Sequence, residues 1–221
     1  MKLRFLGHAC FLLEEKSTVL LFDPYLKNNP VAAEKPENVK ADYILVSHAH
    51  GDHLGDAVEI AKRNGATIIS TAEVAGKCAA EGAKTHAMHI GGKHSFDFGM
   101  VRVTPAFHGS GVEGGHACGF IVDFFGQKVY FAGDTGLFGD MELLGRLEDI
   151  DVALLPIGDN YTMGAGDAAL AAKMLKAKTV IPMHYNTWPL IAADPNVFKK
   201  MVEKETDTAV AILSPGRELT F

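Results

Sequence analysis

His48-Ala49-His50-Gly51-Asp52-His53 places four strong metal donors on six consecutive residues. Neutral imidazole and carboxylate suit Zn²⁺, Mn²⁺ or Fe²⁺, and four such donors exceed what one catalytic ion with an open position takes from the protein. The run therefore points to two metals. Its flanks assign it to a loop between a strand and a helix. Tyr43-Ile44-Leu45-Val46 is a short apolar run suited to a buried strand, and Leu54, Ala57, Val58, Ile60 and Ala61 recur at helical spacing until Asn64-Gly65 stop them. His48 and His50, two apart in extended backbone, project to one side, whereas Asp52 and His53 fall where the chain turns into the helix and can face a second ion.

Each ion needs about three protein donors besides a shared water, so four are too few. Three further apolar runs end in a donor: Val101 to His108, Lys128 to Asp134 within Gly133-Asp134-Thr135-Gly136, and Thr179 to His184.

The ordered set, HxHxDH, then a His, then an Asp within Gly-Asp-Thr-Gly, then a His, resembles the metallo-β-lactamase superfamily. The likeness runs from Leu20-Leu21-Phe22-Asp23-Pro24 to His184. It implies an α/β fold, an αββα four-layer sandwich in which two mixed β-sheets pack face to face with helices outside. It also implies His48, His50 and His108 on one ion, Asp52, His53 and His184 on the other, and Asp134 bridging them. Asp23 is similar to the superfamily's early acid and is expected to support a metal-bound imidazole from behind. The opening Leu6-Gly7-His8-Ala9-Cys10-Phe11 and the stretch Pro156 to Gly164 resemble a small family of metal-dependent hydrolases similar to the ascorbate 6-phosphate lactonase branch.

At 221 residues and 48% hydrophobic, with no Pro/Gly/Ser-rich linker, the chain reads as one domain over 1–221, built from two βαβ-like halves that meet near residue 105. Arg4, Glu14, Glu15 and Lys16 exclude a signal peptide at the start, and no later segment is apolar for long enough to span a membrane. Cys10, Cys78 and Cys118 are odd in number and lack CxxC spacing, which argues against a disulfide framework and for a cytoplasmic protein; each reads as a small buried hydrophobe. The net charge of −6, with 21 basic residues scattered along the chain, gives no basic stripe for nucleic acid. A small-molecule substrate is the expected partner, and association into a homo-oligomer stays open.

Patterning predicts strands over 2–6, 9–14 and 18–22, a helix over 72–81 ended by Gly82, and hairpin turns at 96–99 and 125–127. A buried strand over 151–156 delivers the loop Gly158 to Gly164. Asp167 is expected to cap a helix running to about Lys176, and a helix over 195–205 and a strand over 209–213 close the pattern.

Two divalent ions about 3.5 to 4 Å apart can hold a bridging hydroxide and polarise an acyl or phosphoryl oxygen, which makes hydrolysis the natural reaction and needs no Ser or Cys nucleophile. Asp52 is the expected proton acceptor. His8 either protonates the leaving group or binds a substrate oxyanion, or is a buried hydrogen-bonded histidine. Asn160, Tyr161, Asn186 and Trp188 follow strand ends and are expected at the mouth. The Gly-rich stretch 109–115 reads as a flap with His116 beyond it, and His86, His89 and His94 as exposed. The expected function is a dinuclear hydrolase acting on a small anionic ester, lactone or phosphodiester, with zinc as the first choice of metal. A diiron redox protein is the alternative from another class, opposed by His50, where oxygen ligands would suit iron better, and by the lack of a flavin domain. A non-catalytic metal-binding protein on the same scaffold is a third, opposed by the complete donor set.

Overall fold

Alternation along the strands decides how the layers stack. The computed structural model describes residues 1–221. One sheet holds β1 (Lys2–Gly7), β2 (Cys10–Glu15), β3 (Thr18–Phe22), β4 (Tyr43–Leu45), β5 (Thr67–Thr71) and β6 (Lys84–Met88) in that spatial order. The other holds β7 (Lys93–Phe96), β8 (Gly99–Pro105), β9 (Cys118–Phe124), β10 (Gln127–Phe131), β11 (Val152–Pro156), β12 (Thr179–Met183) and β13 (Ala209–Val210), also side by side in chain order. A last strand, β14 (Glu218–Thr220), returns to the first sheet and pairs antiparallel with β1, Lys2 opposite Thr220.

In the first sheet Phe11, Leu13, Leu20, Phe22 and Leu45 face the second sheet, while Cys10, Leu12, Leu21, Ile44 and Val46 face outward. The outward set is covered by Ala57, Ile60 and Ala61 of the helix Ala57–Asn64 and by Val74 and Cys78 of the helix Ala72–Ala80. Helices Asp140–Leu147, Ala165–Leu175 and Pro195–Glu205 cover the second sheet with Met141, Leu144, Ala168, Ala172 and Phe198. The result is the expected αββα sandwich of two mixed sheets, each residue's layer set by the period of two along its strand.

Both sheets run parallel on one side: β3 with β4 and β5, and β10 with β11 and β12. The carboxyl ends of β3, β4, β10, β11 and β12 release the loops that carry Asp23, His48 to His53, Asp134, Tyr161 and His184. Phe22 and Phe131, the last residues of β3 and β10, are both fully buried and meet across the sandwich with ring centroids 5.1 Å apart.

Several boundaries differ from the pattern. The two sheets divide between Met88 and Lys93, not near residue 105, because β8 pairs with β9 over its whole length, Gly99 opposite Phe124 through Pro105 opposite Cys118. Gly164 is the helix N-cap position, which puts Asp167 in the first turn, where its charge favours the helix dipole. The closing strand keeps only Ala209–Val210, and β14, with three residues and no periodicity of its own, was invisible. His86 is half-buried, its ring 4.1 Å from that of His94. All three cysteines are free and buried. No helix is long and apolar enough to cross a membrane.

Phe131→Ala should empty ring volume from the contact between the sheets and cost about 3–5 kcal/mol of folding stability. Urea unfolding checks it, and the midpoint should fall with little change in slope.

Candidate metal centre

The buried end of β4 leads through Ser47 into the HxHxDH stretch, and Gly51–Leu54 forms a single helical turn that swings Asp52 and His53 away from His48 and His50. Two donor groups follow. His48, His50 and His108 converge in one, and His8, Asp52, His53 and His184 in the other, with the donor atoms inside each group within 4.8 Å of one another. His48 Nε2 is 3.0 Å from His50 Nδ1, and the rings of His48 and His50 lie 5.0 and 5.1 Å from that of His108.

Asp134 stands between the groups. Its Oδ2 lies 3.0 Å from His184 Nε2, 3.2 Å from His53 Nε2 and 3.7 Å from His108 Nε2. Gly133 makes this approach feasible: its φ is +61°, and a Cβ there would sit 2.8 Å from the Ser47 Cβ. Gly111 does the same for the loop behind His108, since a Cβ would come within 2.8 Å of His50 N. That loop, expected as a flap, is fastened to the motif by the Ala49 N–H donating to Ser110 O at 2.7 Å.

Asp23 lies behind the cluster. Its carboxylate accepts from Ser47 N at 2.7 Å, Ser47 Oγ at 2.5 Å and His53 Nδ1 at 2.7 Å. Ser47 Oγ is in turn 2.9 Å from His48 Nδ1, so one carboxylate orients a histidine of each group. Ser47 was not singled out in the sequence, although it abuts the motif.

His53 decides what the centre must hold. Because Nδ1–H is committed to Asp23, Nε2 presents a lone pair, and it faces the Asp134 carboxylate across 3.2 Å. Two acceptors in such contact, both buried, require a cation between them. Without a metal that cation is a proton: burial lowers the basicity of His53, but Asp134 and Asp23 raise its pKa well above the usual value. Burial likewise opposes ionisation of Asp134, yet His53 and His184 hold it well below the carboxylate range. Burial pushes His48 down to about 2 and also lowers His108, so both are neutral donors. Of the eight buried side-chain polar atoms lacking a hydrogen bond, four belong here: His53 Nε2, Asp134 Oδ1 and both ring nitrogens of His184. A concentration of unpartnered imidazole and carboxylate atoms of that kind fits divalent cations.

Backbone strain gathers in the same place. Of nine non-glycine residues with positive φ, six are His8, Asp23, Asp159, Asn160, His184 and Asn186, all in loops at this end of the sandwich.

His8 is 1% exposed, with Nδ1 2.7 Å from Thr187 Oγ1 and Nε2 3.3 Å from Asp52 Oδ2. A Thr187 hydroxyl donating to Nδ1 leaves Nε2–H to donate to Asp52. Burial lowers its pKa to about 4, against the opposing pull of Asp52, and the ring is neutral. The cavity above the cluster, about 410 Å³, is lined by His50, Asp52, His108, Asp134, Tyr161, His184 and Trp188. Asn160 and Asn186 are outside it: Asn160 is exposed beside Asp159, and Asn186 is tied to Ala193 by two hydrogen bonds. His116 is exposed and joins neither donor group.

Asp23→Asn should weaken metal retention about ten- to a hundredfold, because the amide cannot accept from Ser47 and His53 together. Competition against a fluorescent chelator measures the loss.

A model of the beta-lactamase superfamily domain matches residues 18–185. A UPF0173 metal-dependent hydrolase of Natranaerobius thermophilus is 56% identical over 216 residues, covering 98% of this chain and 97% of the relative. One from Pelotomaculum thermopropionicum is 56% identical over 227 residues, covering 99% of each. Among solved structures, Igni18, a metallo hydrolase from the hyperthermophilic archaeon Ignicoccus hospitalis, is similar with a TM-score of 0.94 and 40% identity, over 100% of this chain and 97% of that one. The sandwich, the donor cluster and these likenesses agree, and the chain belongs to the beta-lactamase superfamily, in its family of metal-dependent hydrolases.

Proposed function

We propose that residues 1–221 work as one domain, a dinuclear zinc hydrolase that cleaves a small ester, lactone or phosphodiester in a reducing, cytoplasmic setting. The observation that carries this reading is the position of Asp134 Oδ2 within 3.7 Å of imidazole nitrogens from both donor groups. A carboxylate so placed can neutralise two cations at once. His48, His50 and His108 form an all-imidazole set, which suits zinc better than the oxygen-rich surroundings of redox iron. The three buried free thiols support the reducing compartment.

Two divalent ions in these groups would activate a water as nucleophile at neutral pH and polarise the oxygen of the scissile group. Asp52 supplies the acceptor for that water's proton. Burial would raise its pKa, but the hydrogen bond from His8 and the proximity of His53 hold it below the usual range, so it stays a carboxylate. His8 acts through Asp52. Its ring is fixed by Thr187 on one side and by Trp188, 4.9 Å away between centroids, on the other, and it keeps the Asp52 oxygen aimed into the cavity. Buried beneath Asp52, it is a positioning residue. Water divides as in any hydrolysis: the hydroxyl ends on the acyl or phosphoryl centre and the proton on the leaving oxygen.

Elemental analysis after reconstitution should give two ions per chain, and a plateau at one under excess metal would end the dinuclear reading. Asp134→Ala should lower affinity at both sites, and His184→Ala chiefly at one. Chelation should abolish hydrolysis of simple ester or phosphodiester probes, and zinc or manganese should restore it. Asp52→Asn should keep more metal than His48→Ala yet lose activity by roughly a hundredfold or more, because the amide can coordinate but cannot take a proton. Wild-type turnover by metal-replete Asp52→Asn would refute that role.

A further inference from the structure

The hydrolase reading leaves open what the substrate carries away from its reacting bond, and the walls of the cavity bear on that. Besides the donors, the 410 Å³ cavity is lined by Tyr161 and Trp188. Trp188 is held before any ligand arrives. Its ring lies against buried His8, centroids 4.9 Å apart and planes 31° apart, and meets His184 edge-on at 6.4 Å. Tyr161 is 51% exposed, but its loop is pinned: Met163 N–H donates to Thr135 O at 3.0 Å, next to Asp134, and Gly158 bridges to Gly164. Two more large apolar side chains stand exposed on adjoining loops, Phe107 at 68% directly before His108 and Leu190 at 57% two residues after Trp188. Ordered aromatic surface beside a reactive centre is a binding wall, because leaving it in water gains the fold nothing.

Charge narrows the choice. The lining residues come from five loops, 46–56, 106–117, 132–139, 157–164 and 184–194, and none of the five contains a Lys or Arg. The exposed charges these loops do bring are acidic, Glu113 and Asp159 among them. At the centre itself, Asp23, Asp52 and Asp134 offset most of the charge that two divalent cations would bring. A remote phosphate or carboxylate would thus be desolvated against two rings with no cation to pair with, a cost no contact here repays.

We infer that the substrate's body is neutral and apolar, an aromatic or short aliphatic group seated between Trp188 and Tyr161, with only the scissile ester or lactone reaching the metals. This replaces the anionic substrate expected from the sequence.

The test uses metal-loaded protein and two unreactive anilides, butyranilide and succinanilic acid, matched except that a terminal methyl in one is a carboxylate in the other. Trp188 is the only tryptophan, so intrinsic fluorescence reports on this wall alone. Butyranilide should give a saturable change with a Kd about tenfold below that of succinanilic acid. Tyr161→Ala should lose about tenfold in butyranilide affinity with metal content unchanged, and Tyr161→Phe should recover it. Equal or tighter binding of succinanilic acid, or no response of Trp188 to butyranilide, overturns the inference. Hydrolysis of 4-nitrophenyl butyrate and 4-nitrophenyl monosuccinate is scored separately. If neither ester is cleaved, the carboxylic-ester branch of the proposed function falls and the anilides alone decide the wall; if the monosuccinate is cleaved faster, the wall falls and the hydrolase reading stands.

Discussion

A buried carboxylate facing several imidazole lone pairs is the constraint on which this molecule turns. Asp134 comes from the second sheet and His53 from the first, and each is nearly or wholly inaccessible to water. Their proximity is tolerable only with a positive charge between them, a proton or a divalent ion, so the site and the packing of the two sheets are one problem. The Phe22 and Phe131 rings close the sandwich just below. Above them, His184 N–H donates to His8 O at 2.8 Å, a backbone bond joining the loop after β12 to the turn between β1 and β2. Apolar contact brings the sheets together, and the donors at their carboxyl ends then have no freedom to separate. A metal bound at this cluster would accordingly add its binding free energy to that of the fold.

The strained residues fit the same logic. Positive φ at His8, Asp23 and His184 costs each of them on the order of 1–3 kcal/mol, and neighbours must hold them there. Asp23 is held by three donors, His8 by two hydrogen bonds and the Trp188 ring, and His184 by its bond to the β1–β2 turn. What looks like waste in the backbone is the means by which side chains from six different connections meet at one point.

The order of donors along the chain implied the fold through its resemblance to the metallo-β-lactamase superfamily, and the apolar runs before the His48 motif, His108, Asp134 and His184 marked the strand ends that the structure brings together. The strands expected over 9–14 and 18–22 were legible as well, as β2 and β3, but which of their residues face inward was not, because Cys10 to Leu13 and Val19 to Phe22 are apolar throughout. What stayed hidden depends on contacts between distant loops. Nothing local to His8 shows that its ring is buried with Nδ1 2.7 Å from Thr187 Oγ1 and Nε2 3.3 Å from Asp52 Oδ2, since Thr187 and Trp188 lie nearly the whole chain away. Asn160, Tyr161, Asn186 and Trp188 looked alike as residues past strand ends. Left-handed backbone turned Asn160 and Asn186 aside, while the two aromatics remained over the donors. β14 was missed because three residues show no period and gain their strand from β1 alone.

The sheet margins carry a separate implication. Each sheet ends on strands poorly suited to recruit another chain: β14 has three residues, β13 has two, and β6 and β7 begin with Lys84 and Lys93. An open backbone ladder invites addition of a strand from another molecule, and brevity or a lysine at the rim discourages it. A sandwich with fourteen strands and two open sheets therefore has little exposed template for edge-to-edge aggregation. Lengthening β13 or β14 by design would be the simplest way to turn this protein into one that polymerises.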